Sequence, residues 1–534
     1  MTSRNKKAVS KESTLEDVLW KCRVALRGVG SSEKNRDAVI GLAFLKFSGD
    51  KFEAQRAFLA REYGDIPEFL EDPNFYNADN VFYLNPQSRW SYIKDNASSA
   101  DIAIKLDTAM ADIEKENPAL AGALPRNMYA SLSVQANNLK SLINEVAKLD
   151  SKYFQVEDLI GRVYEYFLRS YAAAGTKEDG EFYTPTSAVE LISELIEPYS
   201  GVVYDPCCGT GGMFIQSMKF VDAHKGNRKN ISVVGQESNA DTWRLCKMNL
   251  AIRGISHNLG ETNASTFTND QHKDRKVDFI MANPPFNLKG WREEDQLLQD
   301  PRFKGYAMPP ATNANYAWIL HMISKLNPRD GVAAFLLSNG ALEADGDEFR
   351  IRQELIERDL IEAIIVLPRD MFYTTNISVT LWIINRNKEA QSRNGRVLRD
   401  RSKEVLFIDL RSWDQNVDEI LIAKGKKKKK VALTSEQISA VKGILHSWQN
   451  EGGGYEDVPE LCKSVRLEGE GGLRNMNYSL APSRYIQFLD RDLDIDYSSE
   501  MNRIQHEMKE ILAAEKHSIS MLREAFKGIS YDID

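Results

Sequence analysis

The spacing of apolar residues along the chain predicts a helical region followed by an α/β region. Between positions 15 and 26 apolar residues recur at helical spacing, and later segments continue this pattern, which predicts a helical domain over residues 1–150. Over residues 151–388 short apolar runs alternate with amphipathic segments, which is typical of a doubly wound, Rossmann-like α/β sheet. Strands are predicted there at residues 202–204, 231–235, 277–282, 332–337, 360–367 and 378–385.

A mixed region is predicted to follow the α/β sheet. The segment 387–404 is charged and has the character of a linker, and a strand is predicted at 405–410. Glycine-rich stretches interrupt the pattern further on. We therefore predict a mixed α/β extension over residues 389–490.

The last region, residues 491–534, is predicted to be helical. Apolar residues keep nearly three-and-four spacing across 499–527, which predicts a coiled-coil-like helix for subunit assembly, interrupted at Glu515 and Ser518. The same pattern also fits a terminal helix that docks on its own domain.

The most informative motif follows the predicted strand 277–282. It is Asn283-Pro284-Pro285-Phe286, in which two consecutive prolines fix the backbone and supply no amide hydrogen. The Asn283 side-chain oxygen and the Pro284 carbonyl can each accept a hydrogen bond from an exocyclic amino group, and Phe286 offers a ring on which a planar base can stack. Taken alone, the tetrapeptide also fits an ordinary turn at the end of a strand.

A glycine-rich turn lies upstream of this motif. The predicted strand 202–204 ends at Asp205, and the turn at 206–212 contains three glycines before an amphipathic segment begins. The next predicted strand is followed by Glu237, whose carboxylate can hold ribose hydroxyls. Because the carboxyl ends of parallel strands meet at one edge of a sheet, these strand ends are predicted to form a single ligand site.

The order of these motifs resembles that of S-adenosylmethionine-dependent amino-methyltransferases, in which Asn-Pro-Pro-Phe is the amine-binding motif of adenine-specific DNA methyltransferases. Further stretches are similar to the modification subunit of type I restriction-modification systems, and the resemblance covers most of residues 10–490. These stretches are LWK at 19–21, LRG at 26–28, GLAFLKF at 41–47, DLIGRVYEYF at 158–167 and GEFYTP at 180–185.

The resemblance assigns roles to individual residues. It implies that residues 180–185 lie over the methionine end of the cofactor and that Glu237 holds the cofactor ribose. The candidate catalytic residues are Asn283, Pro284, Pro285 and Phe286. The candidate cofactor-binding residues are Phe182, Tyr183, Thr184, Pro185, Asp205, Cys207, Gly209, Thr210, Gly211, Gly212 and Glu237.

Two points about these assignments stay open. Without the resemblance, Thr184 or Ser187 reads as the cap of the helix that follows, and not as a ligand contact. The stretch 263–267, Asn-Ala-Ser-Thr-Phe, lacks the acid that often binds the cofactor adenine in this family, so the residue that contacts that ring is not assigned.

The resemblance implies methyl transfer from S-adenosylmethionine to the exocyclic amino group of an adenine swung out of duplex DNA, with S-adenosylhomocysteine as the product. Two acceptors, Asn283 and Pro284, would aim the nitrogen lone pair at the methyl group, so no nucleophilic residue is needed. The flanking regions show no motif that reads DNA sequence, so a separate specificity subunit is expected to select the site. The resemblance also implies a restriction subunit and two copies of this chain per specificity subunit.

Composition agrees with a cytoplasmic location. The first residues are polar and basic, and no apolar run reaches the length of a membrane span, so neither a signal peptide nor a membrane segment is predicted. The five cysteines show no metal-ligand spacing, and we predict no metal and no disulfide. Cys207 and Cys208 fit a redox pair by proximity, but in so tight a turn we interpret them as small packing residues.

The net charge of −8 is unusual for a protein that binds DNA alone, because phosphate contacts supply most of the non-specific affinity. The chain has one dense basic run, in which Lys424 and then 426–430 supply six lysines. This run fits either a solvated loop tip or a segment that follows phosphates.

Two other functions use the same motifs. An amino-methyltransferase that acts on cytosine, RNA or a protein glutamine would need the same acceptors, and the flanking resemblance is what argues against it. A non-catalytic scaffold would keep the fold without the chemistry, and the intact Asn283, Asp205 and Glu237 argue against that.

Overall fold

The computed structural model describes residues 15–29, 32–132, 134–149, 166, 184–372, 375–423, 426–488 and 497–527. The chain divides into two units, one up to Tyr485 and one from Ile486 onward. Phe182 and Tyr183, which the sequence predicts as cofactor contacts, lie outside the described residues. So does most of the stretch 158–167. In the part of the chain that is described, no helix is long and apolar enough to cross a membrane.

The first part of the chain is helical, as predicted. Proline opens several of the short helices, where its missing amide hydrogen costs nothing. The described residues up to 149 form α1 (Leu15–Ala25), α2 (Ser32–Tyr63), α3 (Pro67–Leu70), α4 (Pro73–Asn77), α5 (Trp90–Asp95), α6 (Ile102–Glu116), α7 (Met128–Ser131) and α8 (Ala136–Val146).

A nine-stranded sheet forms the centre of the first unit, and six helices among the described residues from 184 onward accompany it. Its strands are β1 (Gly201–Asp205), β2 (Ile231–Gly235), β3 (His257–Asn258), β4 (Phe279–Ala282), β5 (Val332–Ser338), β6 (Ile361–Val366), β7 (Val379–Asn385), β10 (Glu404–Asp409) and β13 (Cys462–Arg466). The helices are α9 (Thr186–Ile196), α10 (Gly212–Ala223), α11 (Ala240–Ile252), α12 (Asn315–Lys325), α13 (Asp347–Glu357) and α14 (Ser435–Gln449).

The strand order is β13-β10-β6-β7-β5-β4-β1-β2-β3. Strands β7 and β13 run antiparallel to their neighbours, and the other strands are parallel. Neighbouring side chains along β5 pack on opposite faces: Ala334 and Leu336 join the core on one face, while Phe335 stacks on Trp382 of β7, with ring centroids 6.2 Å apart. Both faces are therefore covered, which confirms the doubly wound α/β class.

The sheet continues beyond the boundary predicted at residue 388. Strands β10 and β13 come from the predicted mixed extension and pair into the same sheet. The charged segment 387–404, which we predicted as a linker, contains the hairpin β8 (Gln391–Arg393) and β9 (Arg396–Leu398). A second hairpin joins β11 (Val417–Ala423) to β12 (Lys426–Val431), so most of the lysine run is a strand and not a loop tip.

The helical region packs on the sheet region through α11. The core of the helical region includes Met248 and Ile252, which lie on α11, together with residues of α2, α6 and α8. The Lys247 ammonium group on the same helix donates to the Ala121 carbonyl at 3.3 Å. The two regions thus share buried apolar surface.

The second unit contains the helix α15 (Tyr497–Lys527). The predicted interruption at Glu515 and Ser518 is wrong, because the helix is continuous over 31 residues. Glutamate is a good helix former and a single serine costs only a fraction of a kcal/mol, so neither residue is a breaker.

A buried carboxylate joins the sheet to the segment after β7. Glu362 on β6 is 1% exposed and accepts hydrogen bonds from Arg401 Nε at 3.1 Å and from Gln449 Nε2 at 3.0 Å. Asn385 also donates to it. Burial alone would raise the pKa of Glu362, but the Arg401 charge and the hydrogen bonds lower it, and the net effect is a lowered pKa. An ionised carboxylate in this position compensates the buried Arg401 guanidinium.

Glu362→Gln should therefore lower the free energy of unfolding by about 3–5 kcal/mol, because it leaves the Arg401 charge buried without its counter-charge. Urea unfolding followed by tryptophan fluorescence measures the change. Glu354→Gln is the matched control, because it removes a carboxylate from an exposed pair with Arg358 and should cost less than about 1 kcal/mol. Equal losses in the two variants would contradict the structural role of Glu362.

Candidate active site

Three neighbouring strands end in the predicted site residues. Strand β1 lies between β4 and β2 in the sheet, and all three are parallel. Their carboxyl ends therefore meet at one edge. Asn283 follows β4, the glycine-rich turn follows β1, and Glu237 follows β2. The sheet places the two predicted motifs side by side.

The Asn283 side chain is held by one end of its amide. Its Nδ2 donates to the Thr184 hydroxyl at 2.9 Å. Its Oδ1 is buried and has no hydrogen-bond partner among the described residues. A buried oxygen without a partner costs on the order of 1–3 kcal/mol, which a ligand that donates a hydrogen bond to it would recover.

Thr184 does not cap the following helix. The N-cap of α9 is Pro185, no side chain in the described part of the chain caps that helix end, and the buried Ser187 hydroxyl has no partner there. The capping alternative for Thr184 and Ser187 is therefore wrong. The Thr184 hydroxyl instead accepts from the Asn283 amide, a contact that the sequence did not reveal.

The backbone after Asn283 is fixed by α12. Asn315, at the first turn of α12, accepts from the Asn287 amide nitrogen at 2.9 Å and donates to the Asn287 side chain at 2.8 Å. Pro284 is buried and Phe286 is half-buried. The Phe286 ring meets the ring of Phe372 edge-on, with centroids 6.4 Å apart. The tetrapeptide is thus held by α12, which binds the residue after it, and by Phe372, which contacts the Phe286 ring.

The turn after β1 combines a buried acid with open space. Asp205 is 2% exposed, and its Oδ1 accepts from the Cys207 amide nitrogen at 3.0 Å. Burial raises the pKa of Asp205 to about 7. At Gly209, with φ +52°, an added Cβ would meet no atom within 4 Å, so the described residues leave open space beside the turn. Gly211 adopts φ +86° as the N-cap of α10.

Glu237 ties the end of β2 to the glycine-rich turn. Its Oε2 accepts from the Gly209 amide nitrogen at 3.1 Å, and its Oε1 accepts from the Asn239 amide nitrogen at 2.9 Å. Burial nevertheless raises the pKa of Glu237, because these hydrogen bonds only partly replace water. Two carboxylates, neither of which pairs with a cation among the described residues, therefore flank the same turn.

The remaining predicted cofactor residues lie around this turn. The Thr210 carbonyl accepts from the Asn249 side chain at 2.8 Å, and Gly212 begins α10. The Cys208 thiol lies 3.8 Å from Cys246 and not against Cys207, and all five cysteines are unbonded. This arrangement agrees with packing and not with a redox pair.

Arg302 holds the segment 263–267, which lacks the acid that often binds the cofactor adenine in this family. Its guanidinium donates to the Thr266 carbonyl at 2.8 Å and to the Phe267 carbonyl at 2.6 Å, while the Thr266 hydroxyl donates to the Pro206 carbonyl. The segment 263–267 thereby abuts the glycine-rich turn. Arg302 comes from the long connection before α12 and carried no signal in the sequence.

Two aromatic residues of α12, Tyr316 and Trp318, belong to the core. Tyr316 is fully buried, and its hydroxyl donates to the Ala341 carbonyl at 2.6 Å. Trp318 packs against Phe267, with centroids 4.2 Å apart. Trp318 therefore supports the 263–267 segment.

The sequence matches two family models: N-6 DNA Methylase over residues 155–492 and the HsdM N-terminal domain over residues 15–146. It is also 38% identical over 442 residues to the type I restriction enzyme HindI methylase subunit of Haemophilus influenzae, a match that covers 81% of this chain and 93% of that one. The chain belongs to the type I restriction enzyme methylase subunits. The predicted resemblance is confirmed, and the enzyme class is adenine-specific DNA methyltransferase.

Other members of this methylase family agree with the assignment. The type I restriction enzyme MjaIX methylase subunit of Methanocaldococcus jannaschii is 30% identical over 534 residues, which covers 97% of this chain and 91% of that one. The type I methyltransferase subunit of Streptococcus thermophilus, a solved structure, superposes with a TM-score of 0.68 at 22% identity and covers 88% of this chain and 99% of that chain. It shares the fold of this methylase subunit.

Asp205 should make the stability of this methylase subunit depend on pH. Its folded pKa of about 7 lies above the unfolded value of about 3.9, so its contribution to stability is complete below about pH 4 and is lost as pH rises through 7. Asp205→Asn cannot ionise, and we expect its thermal midpoint to exceed that of the wild type by a clearly larger margin at pH 8 than at pH 5.

Thermal unfolding followed by circular dichroism in the absence of ligand measures this difference. Asp274→Asn, at an exposed position, is the control and should shift the midpoint equally at both pH values. A difference for Asp205→Asn that is the same at pH 5 and pH 8 would show that the pKa of the Asp205 carboxyl is not raised by burial.

Proposed function

We propose that this modification subunit transfers a methyl group from S-adenosylmethionine to the exocyclic amino group of an adenine swung out of duplex DNA, at sites that a separate specificity subunit selects. The observation that carries the proposal is the buried Asn283 oxygen, which has no partner among the described residues and whose amide is held by Thr184. Its position beside the glycine-rich turn supports a shared site for base and methyl donor.

The residues beside β1 and β2 fit S-adenosylmethionine. The open space at Gly209 accommodates a ligand close to the backbone, and the Asp205 carboxylate suits a cation. We assign Glu237 to the ribose and Thr184 to Pro185 to the methionine end. When bound, this cofactor supplies a methyl group on a positively charged sulfur. A cation near Asp205 would favour its ionised form.

The catalytic role that we assign to Asn283 and Pro284 is positioning. The amino group of adenine is a poor nucleophile because its lone pair is delocalised into the ring. Hydrogen bonds from its two hydrogens to Asn283 Oδ1 and the Pro284 carbonyl hold the nitrogen with its lone pair directed away from the ring plane. The acceptors stabilise the positive charge that develops on the nitrogen as it takes the methyl group from sulfur, and the nitrogen then releases one proton to water, so no covalent intermediate with the protein is needed.

Phe286 supports the extruded base. Taking a base out of the duplex costs a few kcal/mol, and stacking on an aromatic ring recovers about 1–3 kcal/mol of this. The edge of Phe372 holds the Phe286 ring in place. Pro285 keeps the ring close to the acceptors, because its backbone has little freedom.

Helix α15 supports the expected assembly. Its apolar side chains, which include Met501, Ile504, Met508 and Ile511, remain exposed. An exposed apolar stripe at helical spacing marks a surface for another helix. We assign it to the specificity subunit, with two methylase chains per specificity chain and a restriction subunit in the complete system. One solved structure of the same fold, with a TM-score of 0.56, comes from work on complex assembly of the type I R-M system.

The function is tested by methyl transfer from labelled S-adenosylmethionine to adenine-containing duplex DNA, with and without the specificity subunit. We expect N6-methyladenine only when that subunit is present. Asn283→Ala should lower turnover at least about 100-fold and leave cofactor affinity within about twofold, because it removes only the amine acceptor. Transfer to RNA or protein, cofactor binding without transfer, or normal methylation by Asn283→Ala would each contradict the proposal.

Thr184 should act through Asn283. Thr184→Val removes the hydroxyl that holds the amide, so we expect kcat to fall about 10- to 100-fold, a larger effect than the rise in the KM for S-adenosylmethionine. Thr184→Ser keeps the hydroxyl and should restore most of the rate. A rise in the cofactor KM with unchanged kcat in Thr184→Val would show that Thr184 serves only cofactor binding.

A further inference from the structure

The lysine run forms one strand of a hairpin whose charges are unevenly compensated. In the register of β11 and β12, Asp418 is paired with Lys430 and Glu419 with Lys429. Nearer the tip, the lysines at 426, 427 and 428 are paired with Ala423, Leu421 and Ile420, so their partner positions on β11 carry no acid. The register therefore sets an acid opposite each lysine at the base of the hairpin and uncharged residues opposite the three outer lysines, in a chain whose net charge is −8.

The hairpin is anchored at the edge of the sheet that carries the candidate active site. In the chain, the hairpin lies between the end of β10 and the start of α14. The carboxyl end of β10 is at the same edge of the sheet as the carboxyl end of β4. The Val431 amide nitrogen donates to the Asp370 carbonyl at 3.0 Å, and the buried Lys430 ammonium donates to the Met371 carbonyl. The next residue, Phe372, contacts Phe286 of the Asn-Pro-Pro-Phe motif.

We propose that the hairpin at 417–431 binds the phosphate backbone of duplex DNA next to the extruded base, through Lys426, Lys427 and Lys428. The inference rests on the proposed function, because it takes Phe286 as the wall of the base pocket. Lysine is a point charge on a flexible stem, which suits phosphate contacts without sequence preference. A chain of net negative charge needs such a local concentration of cations to approach DNA.

The dimensions of the hairpin agree with this role. A strand of seven residues, the length of β11, extends about 20 Å at roughly 3.3 Å per residue. Successive phosphates of one DNA strand rise about 3.4 Å along the helix axis and also wind around it, so a straight hairpin of this length can reach about three of them. Its anchored base lies beside the pocket, and its charged outer part can reach the flanking backbone.

The test compares the salt dependence of DNA binding by the methylase subunit in complex with its specificity subunit. The variant carries Lys426→Gln, Lys427→Gln and Lys428→Gln, and binding to a labelled duplex is measured between about 50 and 300 mM salt. Each lost phosphate contact should lower the slope of log K against log salt by about 0.9, so we expect a decrease of about 2–3. The KM for DNA should rise about threefold or more, while kcat at saturating DNA stays within about twofold.

The control removes the same charge at the opposite edge of the sheet. Lys225→Gln, Arg228→Gln and Lys229→Gln lie in the exposed segment before β2 and should change the slope by less than about 0.5. Replacing the three hairpin lysines with arginine keeps the charge and should keep the slope. Circular dichroism melts of each variant establish that the chain is folded.

An unchanged slope in the lysine variant, or a change equal to that of the control, would overturn the inference. Loss of specificity-subunit binding with an unchanged DNA slope would also overturn it, and would show that the hairpin docks on protein. DNA binding is measured without turnover, so a failure of the hairpin proposal can be distinguished from a failure of the proposed methyl transfer. A wild-type complex that binds DNA but makes no N6-methyladenine would refute the proposed function, and the slope would still decide the role of the hairpin.

Discussion

The hydrogen bond from the Asn283 amide to the Thr184 hydroxyl is the contact on which the site depends. It occupies the donor end of the amide and directs the acceptor end into a buried space. An unpaired acceptor favours an amino group over a carbonyl, because a carbonyl would leave the buried oxygen unpaired. This distinguishes adenine from a base that carries oxygen at the same position.

The sheet supplies the rigidity that this contact needs. Strand β1 brings the glycine-rich turn between Asn283 and Glu237, and Arg302 holds the neighbouring segment through two carbonyls. The charged and neutral groups at this edge of the sheet also differ from one strand end to the next. Buried carboxylates flank the glycine-rich turn, the neutral acceptor Asn283 follows β4, and the lysines of β12 lie further along the chain at the hairpin.

The sequence predicted those elements whose signal is apolar. All six strands predicted before residue 388 exist, because each is a mostly buried apolar run, and 361–366 is buried throughout. Polar elements were missed: β8 and β9 lie in a charged segment, and β12 consists almost entirely of lysine, so neither hairpin consists of two apolar strands. The motifs located the site, whereas the contacts of Thr184 and Arg302 depend on tertiary structure that no local pattern encodes.

The most direct test is a structure of the methylase subunit with its specificity subunit, duplex DNA and a non-reactive analogue of the methyl donor. The account predicts an adenine outside the duplex, with its amino nitrogen about 2.7–3.2 Å from Asn283 Oδ1 and with the Thr184 hydroxyl still bound to Asn283 Nδ2. An Asn283 oxygen that is satisfied by the protein's own groups, or that faces away from the base, would contradict it.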